Sequence, residues 1–460
     1  MLKYSRYNHL TQIPDEDAFV LVNFRTGALV RLGPLQKAVF DQATELPESA
    51  KAIEKFRRGG FLVNYDELRH MRTQAFLASG MGRALGLTIC PTLSCNFACP
   101  YCFEEPRSGR MSQETQDALV EFAREEMETY GMKNLYVTWF GGEPLLCPDI
   151  IESLSERFVK LTQDLGAEYR ADIITNGWFL DEKNLRMLER AKVASMQITL
   201  DGPTPETNDS SRKEKSGRSS FKRIMENLRN LRPYESQDTN NNGDDESSSK
   251  PLPSVNLRCN VNKENAPLFD ELREKIEAIA RETGVDINPY PAKMGADDVA
   301  AEVIERAFAP EEYAAAVPWD RQLRMRAGAN CYRRVYCMAQ ISHSYTVDEQ
   351  GGLSKCWEAV GRDAIVFGNV RDFRSWREPG AAVGAWDQYY ETLFPENDQE
   401  CMDCKFFPLC MGGCPHKRIT NRRECMPEKT DPDGYALARY REWQKNKAQE
   451  TAANANTAQQ

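Results

Sequence analysis

Cys95, Cys99 and Cys102 stand together in the run Cys95-Asn96-Phe97-Ala98-Cys99-Pro100-Tyr101-Cys102. Soft thiolates suit iron–sulfur clusters or zinc, and three closely spaced ligands on one loop can hold three corners of a cubane. The fourth iron would then stay open. An open iron can take the amino and carboxylate groups of a methionine moiety, which sets a sulfonium where an electron from the cluster could break a carbon–sulfur bond. Toward the other end stand Cys331, Cys337, Cys356, Cys401, Cys404, Cys410, Cys414 and Cys425. Eight thiolates would fill two closed four-ligand sites, for zinc or for clusters. His416, close to Cys414, is an alternative ligand, although an imidazole beside a site more often supports the ligands from outside.

Fourteen cysteines in a chain that starts Met1-Leu2-Lys3-Tyr4-Ser5-Arg6, without the apolar core of a secretion signal, argue for metal rather than disulfides. A cytoplasmic protein is expected. Cys90, Cys147 and Cys259 lie apart from the clusters and are expected as small buried apolar residues. With 59 basic and 69 acidic residues and a formal charge of −10, the chain is not expected to bind nucleic acid or an anionic membrane surface. No apolar run reaches the roughly 20 residues of a membrane span.

The elements that must position the first cysteines begin at Ala84. Short strand-like segments near 84–89, 134–139, 170–175, 193–200, 255–261 and 285–290 alternate with helical stretches. One of these, Gln113–Tyr130, places Leu119, Phe122, Ala123, Met127 and Tyr130 on one face. Six strand–helix repeats predict an α/β fold with a parallel sheet, open or curled into a partial (β/α)6 TIM-like barrel. Chemistry in such sheets gathers beyond the carboxyl ends of the strands, where Cys95 follows the first. The N-terminal 1–80 segment reads as a small α/β module, possible as a winged-helix-like element. It has strands at 18–23 and 28–32, helices near 35–43 and 48–58, and a return strand at Phe61-Leu62-Val63. The barrel is expected over 81–320, interrupted by a polar insertion at 235–254 too poor in apolar residues to order itself. A cysteine-rich domain is expected over 321–430. A C-terminal helix and flexible tail would fill 431–460, with fixed structure lost from about Lys445.

The CxxxCxxC spacing, with an aromatic residue before the last cysteine, resembles the motif of the radical S-adenosylmethionine (SAM) superfamily. Trp139-Phe140-Gly141-Gly142-Glu143-Pro144 resembles that family's GGEP segment, and Thr175-Asn176-Gly177 and Asp201-Gly202-Pro203 stand where the family lines its SAM pocket. The resemblance implies that Cys95, Cys99 and Cys102 hold a [4Fe–4S] cluster that binds SAM. It further implies that Gly142 and Glu143 engage the SAM amino group, that Asn176 and Asp201 line the pocket, and that the backbone of Tyr101 lies against adenine. Asp209 and Arg212 echo a further acidic–basic pair of relatives, or form a solvated surface pair.

The later cysteines, with Gly351 five residues before Cys356 and a CxxCx5CxxxC run from Cys401 to Cys414, resemble the SPASM domain of radical SAM enzymes. Relatives with two auxiliary [4Fe–4S] clusters imply that Cys331, Cys337, Cys356 and Cys414 hold one. Cys401, Cys404, Cys410 and Cys425 would hold the other. Such clusters, fully ligated, suit electron relay. The resemblance implies reductive cleavage of SAM to a 5′-deoxyadenosyl radical, hydrogen abstraction from a peptide or protein, and an electron donor such as flavodoxin or ferredoxin. The product would be a cross-link or an oxidised residue; no catalytic base is identified. Sulfatase maturation is the alternative within the family, but its members place a catalytic Asp directly after the cysteine equivalent to Cys356, where this chain has Trp357 and then Glu358. A zinc-binding regulatory or scaffold protein is the alternative from another class. The N-terminal module would recognise a peptide or simply cap the barrel.

Overall fold

The computed structural model describes residues 1–234, 253–295, 301–317, 333–375 and 384–457. Most of the insertion expected at 235–254 therefore lies outside the described residues. Two compact units divide the chain: Met1–Ser79, Ala309–Tyr336 and Glu391–Gln460 form one, and Gly80–Phe308 with Cys337–Tyr390 the other. The 321–430 stretch is thus shared between them.

In the first unit, β1 (Lys3–Tyr4), β2 (Asn8–Gln12), β3 (Phe19–Asn23), β4 (Leu29–Leu32) and β5 (Leu62–Val63) form two antiparallel sheets, β1-β5 and β2-β3-β4. Helices Pro34–Asp41 and Lys51–Arg58 follow β4. β3 alternates, and both of its faces are used. Leu21 packs with Phe40, Ile53, Phe56 and Phe61, whereas Val20, Val22 and Phe24 pack with Phe406, Leu409, Tyr435 and Ala436 from the C-terminal stretch. The rings of Phe24 and Phe406 stack at 4.4 Å. β2 was not expected, because Asn8-His9-Leu10-Thr11-Gln12 carries a single strongly apolar residue; pairing with β3 makes it a strand. The last helix runs Pro432–Thr457, past the limit near Lys445 that its polar composition predicts.

In the second unit, β6 (Ala84–Ile89), β7 (Asn134–Trp139), β8 (Glu168–Thr175), β9 (Val193–Thr199), β10 (Ser254–Val261) and β11 (Ile287–Lys293) are parallel and adjacent in chain order. These are the six repeats predicted, and the mostly parallel sheet is that of a partial barrel. β12 (Ser344–Val347) adds to β6 in parallel, and β13 (Gly352–Ser354) and β14 (Gly368–Asn369) continue antiparallel to give nine strands. Register levels the carboxyl ends, with Ile89 opposite Trp139 and Trp139 opposite Ile173.

Over the central residues of β6 to β10, burial alternates. Leu85, Leu87, Val137, Ala171, Ile173, Met196, Ile198, Val255 and Leu257 are buried on one face, while Thr138, Asp172, Gln197, Asn256 and Arg258 on the other are half-buried. A parallel sheet covered on both faces would read as continuous apolar runs, so this polar face belongs to a lumen. Helix Gln113–Tyr130 forms as predicted, capped by Ser112, whose hydroxyl accepts from the Thr115 N–H. Its apolar face differs at one position: Leu119, Phe122, Ala123 and Met127 are buried, but Tyr130, in the last turn, is exposed and lies over His343 at 4.2 Å.

Candidate functional site

The loop after β6 carries Cys95, Cys99 and Cys102, and the glycines after β7 let a second loop dock onto it. Gly141 has φ +112°, and a Cβ there would meet the Thr92 carbonyl oxygen at 2.4 Å. A Cβ on Gly142 would lie 2.3 Å from the Ser94 oxygen. Only glycine permits this approach. The Gly142 N–H donates to Thr92 O at 3.2 Å and the Glu143 N–H to Ser94 O at 2.9 Å, which fixes the GGEP turn against the residue before Cys95.

Glu143 is fully buried. Its carboxylate accepts from the Leu145 N–H (3.0 Å), the Thr175 hydroxyl (2.7 Å) and the Asn176 N–H (2.7 Å), which ties the end of β7 to the end of β8. Burial raises its pKa, and these donors work against the rise. The Asn176 amide reaches Asn96 Oδ1 at 2.7 Å and Cys95 Sγ at 3.8 Å. Cys95 Sγ also accepts from the Phe97 N–H at 3.4 Å.

Asp201, also buried, closes the other side. It accepts from the Tyr101 hydroxyl and from the Asn260 N–H at 2.9 Å, and its backbone N–H is held by Asn208 at 2.9 Å. Arg212 donates to the Tyr101 hydroxyl at 3.0 Å and lies over the Phe97 ring. Burial alone would lower the Arg212 pKa, but Tyr101, Cys99 and Asp201 hold it above its ordinary value. Asp209 does not pair with it: the Asp209 carboxylate accepts from Ser220 Oγ and the Phe221 N–H, both at 2.8 Å, at the start of helix Ser220–Arg229. The solvated pair is therefore replaced by a buried cation and a separate helix anchor.

The three loop thiols are pushed up chiefly by burial, Cys95 to about 12 and Cys102 to about 11, with Cys99 raised as well. Such thiols are poor nucleophiles at neutral pH. Metal binding, which drives off the thiol proton, suits them better. Glu104, two residues past Cys102, was not singled out from sequence. Its Oε2 is buried without a hydrogen-bond partner among the described residues, and burial with the Glu143 charge pushes it to about 8.

In the first unit, Cys401, Cys404, Cys410 and Cys425 line one small cavity together with Phe406, Phe407, Arg423 and Lys429. Met411, Gly412 and Gly413 take successive positive φ values of 48°, 88° and 85°, which turns the chain sharply after Cys410. Arg423 Nη1 lies 3.3 Å and Arg418 Nη1 3.6 Å from Cys401 Sγ, and Lys429 Nζ lies 3.8 Å from Cys425 Sγ. Four thiols around one space, with cations against the sulfurs of Cys401 and Cys425, fit a cluster of the thiolate-ligated kind. Cys414 precedes the short helix Pro415–Ile419, where His416 is buried. Cys337 and Cys356 belong to the second unit, Cys356 just after β13, and Cys331 lies outside the described residues. Cys90, Cys147 and Cys259 are buried as expected. Among the described residues, no group of three or more His, Cys, Asp or Glu converges closely enough for a single ion. Cubane ligands each take a different iron and do not converge on one point. No helix of the described residues is long and apolar enough to cross a membrane.

Residues 89–242 match the Radical SAM superfamily. An AdoMet-dependent heme synthase of Oleidesulfovibrio alaskensis is 22% identical over 371 residues, covering 73% of this chain and 84% of its own. A mycofactocin maturase of Mycobacterium ulcerans is 25% identical over 367 residues, again 73% of this chain and 84% of its own. Among solved structures, anSMEcpe with bound AdoMet and the Cp18Cys peptide aligns with a TM-score of 0.54 and 19% identity, over 81% of this chain and 99% of that one. That likeness is one of fold.

Proposed function

We propose that this chain, which carries a radical SAM domain, is a maturase that cleaves SAM reductively and abstracts hydrogen from a peptide. The observation that carries the reading is the convergence of Cys95, Gly142, Glu143, Asn176 and Asp201 at one end of the sheet, above a polar lumen. Cys95, Cys99 and Cys102 would hold a [4Fe–4S] cluster, and Cys401, Cys404, Cys410 and Cys425 an auxiliary one. Cys331, Cys337, Cys356 and Cys414 are assigned to a second auxiliary cluster by resemblance alone. When bound, the cluster and SAM supply a 5′-deoxyadenosyl radical, the species that takes hydrogen from carbon.

The chain's own residues hold the loops still and keep water away. Glu143 uses its carboxylate to lock the ends of β7 and β8, so the group available to a SAM ammonium is the backbone of the GGEP turn and the outward side of that lock. Asp201, Tyr101 and Arg212 fix the loop from the far side, and Phe97 and Phe140 make the surroundings apolar. Thr138, Asp172, Gln197 and Arg258 offer a substrate hydrogen-bonding groups along the lumen, as the amides of a peptide require.

The mycofactocin maturase relative supports the maturase class, and the peptide substrate follows the SPASM resemblance. Trp357 stands where sulfatase-maturing enzymes carry an Asp, and its ring packs against Phe140 at 5.7 Å, so sulfatase maturation is disfavoured. The test is anaerobic reconstitution with iron, sulfide and dithionite. Wild-type protein should be brown, with about 12 iron atoms when three cubanes fill, and should form 5′-deoxyadenosine. Cys99→Ala should form none. Colourless protein holding zinc instead would establish the scaffold alternative. Co-expression with a short peptide encoded beside this chain, followed by mass spectrometry, should then show a mass loss of about two hydrogens in that peptide. A porphyrin product with no peptide change would redirect the substrate toward that of the heme synthase relative.

A further inference from the structure

Five charged side chains crowd the rim of the Cys401–Cys425 cavity, and they are arranged with one polarity. Asp398 accepts from Arg418 at 3.0 Å and from Arg423 at 2.8 Å, while Glu400 accepts from Arg423 and Lys429. The carboxylates face the cations, and the cations face the sulfurs. Arg418 is fixed further by donating to Gly412 O at 2.9 Å, and its side chain is only 14% exposed. Asp398 also accepts from the Cys401 N–H at 3.1 Å, which sets it between the cysteine backbone and the two guanidinium groups. The pairs that Glu400, itself more than half exposed, makes with Arg423 and Lys429 contribute little to stability. Their consistent orientation toward two cysteines therefore has its effect on what those cysteines hold.

We infer that Arg418, Arg423 and Lys429 raise the reduction potential of a cluster on Cys401, Cys404, Cys410 and Cys425 above that of the same cluster without them. This rests on the reading of the four thiols as cluster ligands. One-electron reduction adds a negative charge to an already anionic thiolate cluster, and N–H donors and cations at the sulfurs stabilise the reduced state more than the oxidised one. Asp398 and Glu400 offset part of the charge but leave three cations against two anions, with the cations nearer the sulfur. Such a site holds an added electron more firmly than the same cluster without the cations would. That favours a place downstream of the substrate radical over one upstream of SAM cleavage.

The test is a potentiometric titration followed by electron paramagnetic resonance on the full reconstituted chain. The signal of this site is the one lost in Cys410→Ala. Arg423→Met/Lys429→Met should keep its iron and sulfide yet lower the midpoint by about 59 mV or more. At fixed potential this is a tenfold fall in the ratio of reduced to oxidised cluster for one electron. Each single variant should shift part of the way, and Arg423→Lys should retain most of the wild-type value. An unchanged midpoint at full iron content overturns the inference. Loss of iron from the double and both single variants overturns it too, because the cations would then build the site rather than tune it. If Cys410→Ala loses neither iron nor any signal, the cluster assignment itself is wrong and the tuning falls with it.

Discussion

The phenol of Tyr101 donates to the buried carboxylate of Asp201, one hundred residues further along the chain, and Arg212 donates to the same phenol. The loop that carries the three cysteines is thereby fastened to the end of β9. Opposite, Glu143 and Asn176 fasten it to β7 and β8. The loop is held from both sides by buried polar groups, and each fastening can be removed singly.

Tyr101→Phe removes one donor from Asp201 and the acceptor of Arg212. Leaving a buried carboxylate and a buried guanidinium short of a partner should cost about 1–3 kcal/mol. Chemical denaturation under anaerobic conditions measures this. A neutral result would mean that the phenol is not part of the fastening.

Gly142→Ala forces a Cβ to within 2.3 Å of the Ser94 oxygen, so the turn or the cysteine loop must move. Weaker SAM binding by equilibrium dialysis and lower iron in the first site are expected. Gly131→Ala is the control, with φ +61° but open space around it. It should cost roughly 1–2 kcal/mol of stability and leave SAM binding intact.

Cys404→Ala should remove about four iron atoms per chain, one cubane, while SAM cleavage in the absence of peptide continues. Product formation should stop. Equal loss of both activities would show that the auxiliary site supports the first loop structurally.

Asp172 faces the lumen with Oδ1 lacking a hydrogen-bond partner among the described residues, and its pKa is raised, chiefly by burial. A carboxyl group whose folded pKa exceeds its unfolded one binds more protons in the folded state between the two. Its stability contribution is thus greatest below the unfolded value and falls as pH rises through the raised one. Asp172→Asn should remove that loss, so the variant's advantage over wild type grows from acidic toward neutral pH. Denaturation midpoints across that range test it, and a constant difference would contradict the shift.

The six parallel strands were legible as short apolar runs set between amphipathic helical stretches. β2 and β12 were not. Asn8–Gln12 has too little apolar character to declare itself, and Ser344–Val347 is hidden among cysteines and glycines. Cysteine spacing marked the candidate ligands and family resemblance sorted the later eight into sets, and Cys401, Cys404, Cys410 and Cys425 line one cavity together. The placement of charges was opaque: Arg212 reads as half of an acidic–basic pair with Asp209 or as a solvated surface residue, and nothing in the sequence singles out Arg418, Arg423 and Lys429. Only packing reveals that one is buried and the others point at sulfur. Tyr130 matches the apolar period of its helix, but the helix ends where there is no core left to receive it.

Val22 and Phe24 precede the Phe406 and Tyr435 that cover them by some 400 residues of chain. Until those later residues are synthesised, one apolar face of the β2-β3-β4 sheet stays uncovered and open to misassociation. The final helix therefore acts as a closing seam, and a carboxy-terminal deletion into Tyr435 would damage the opposite terminus first. The same dependence argues against excising the first eighty residues as an independent module.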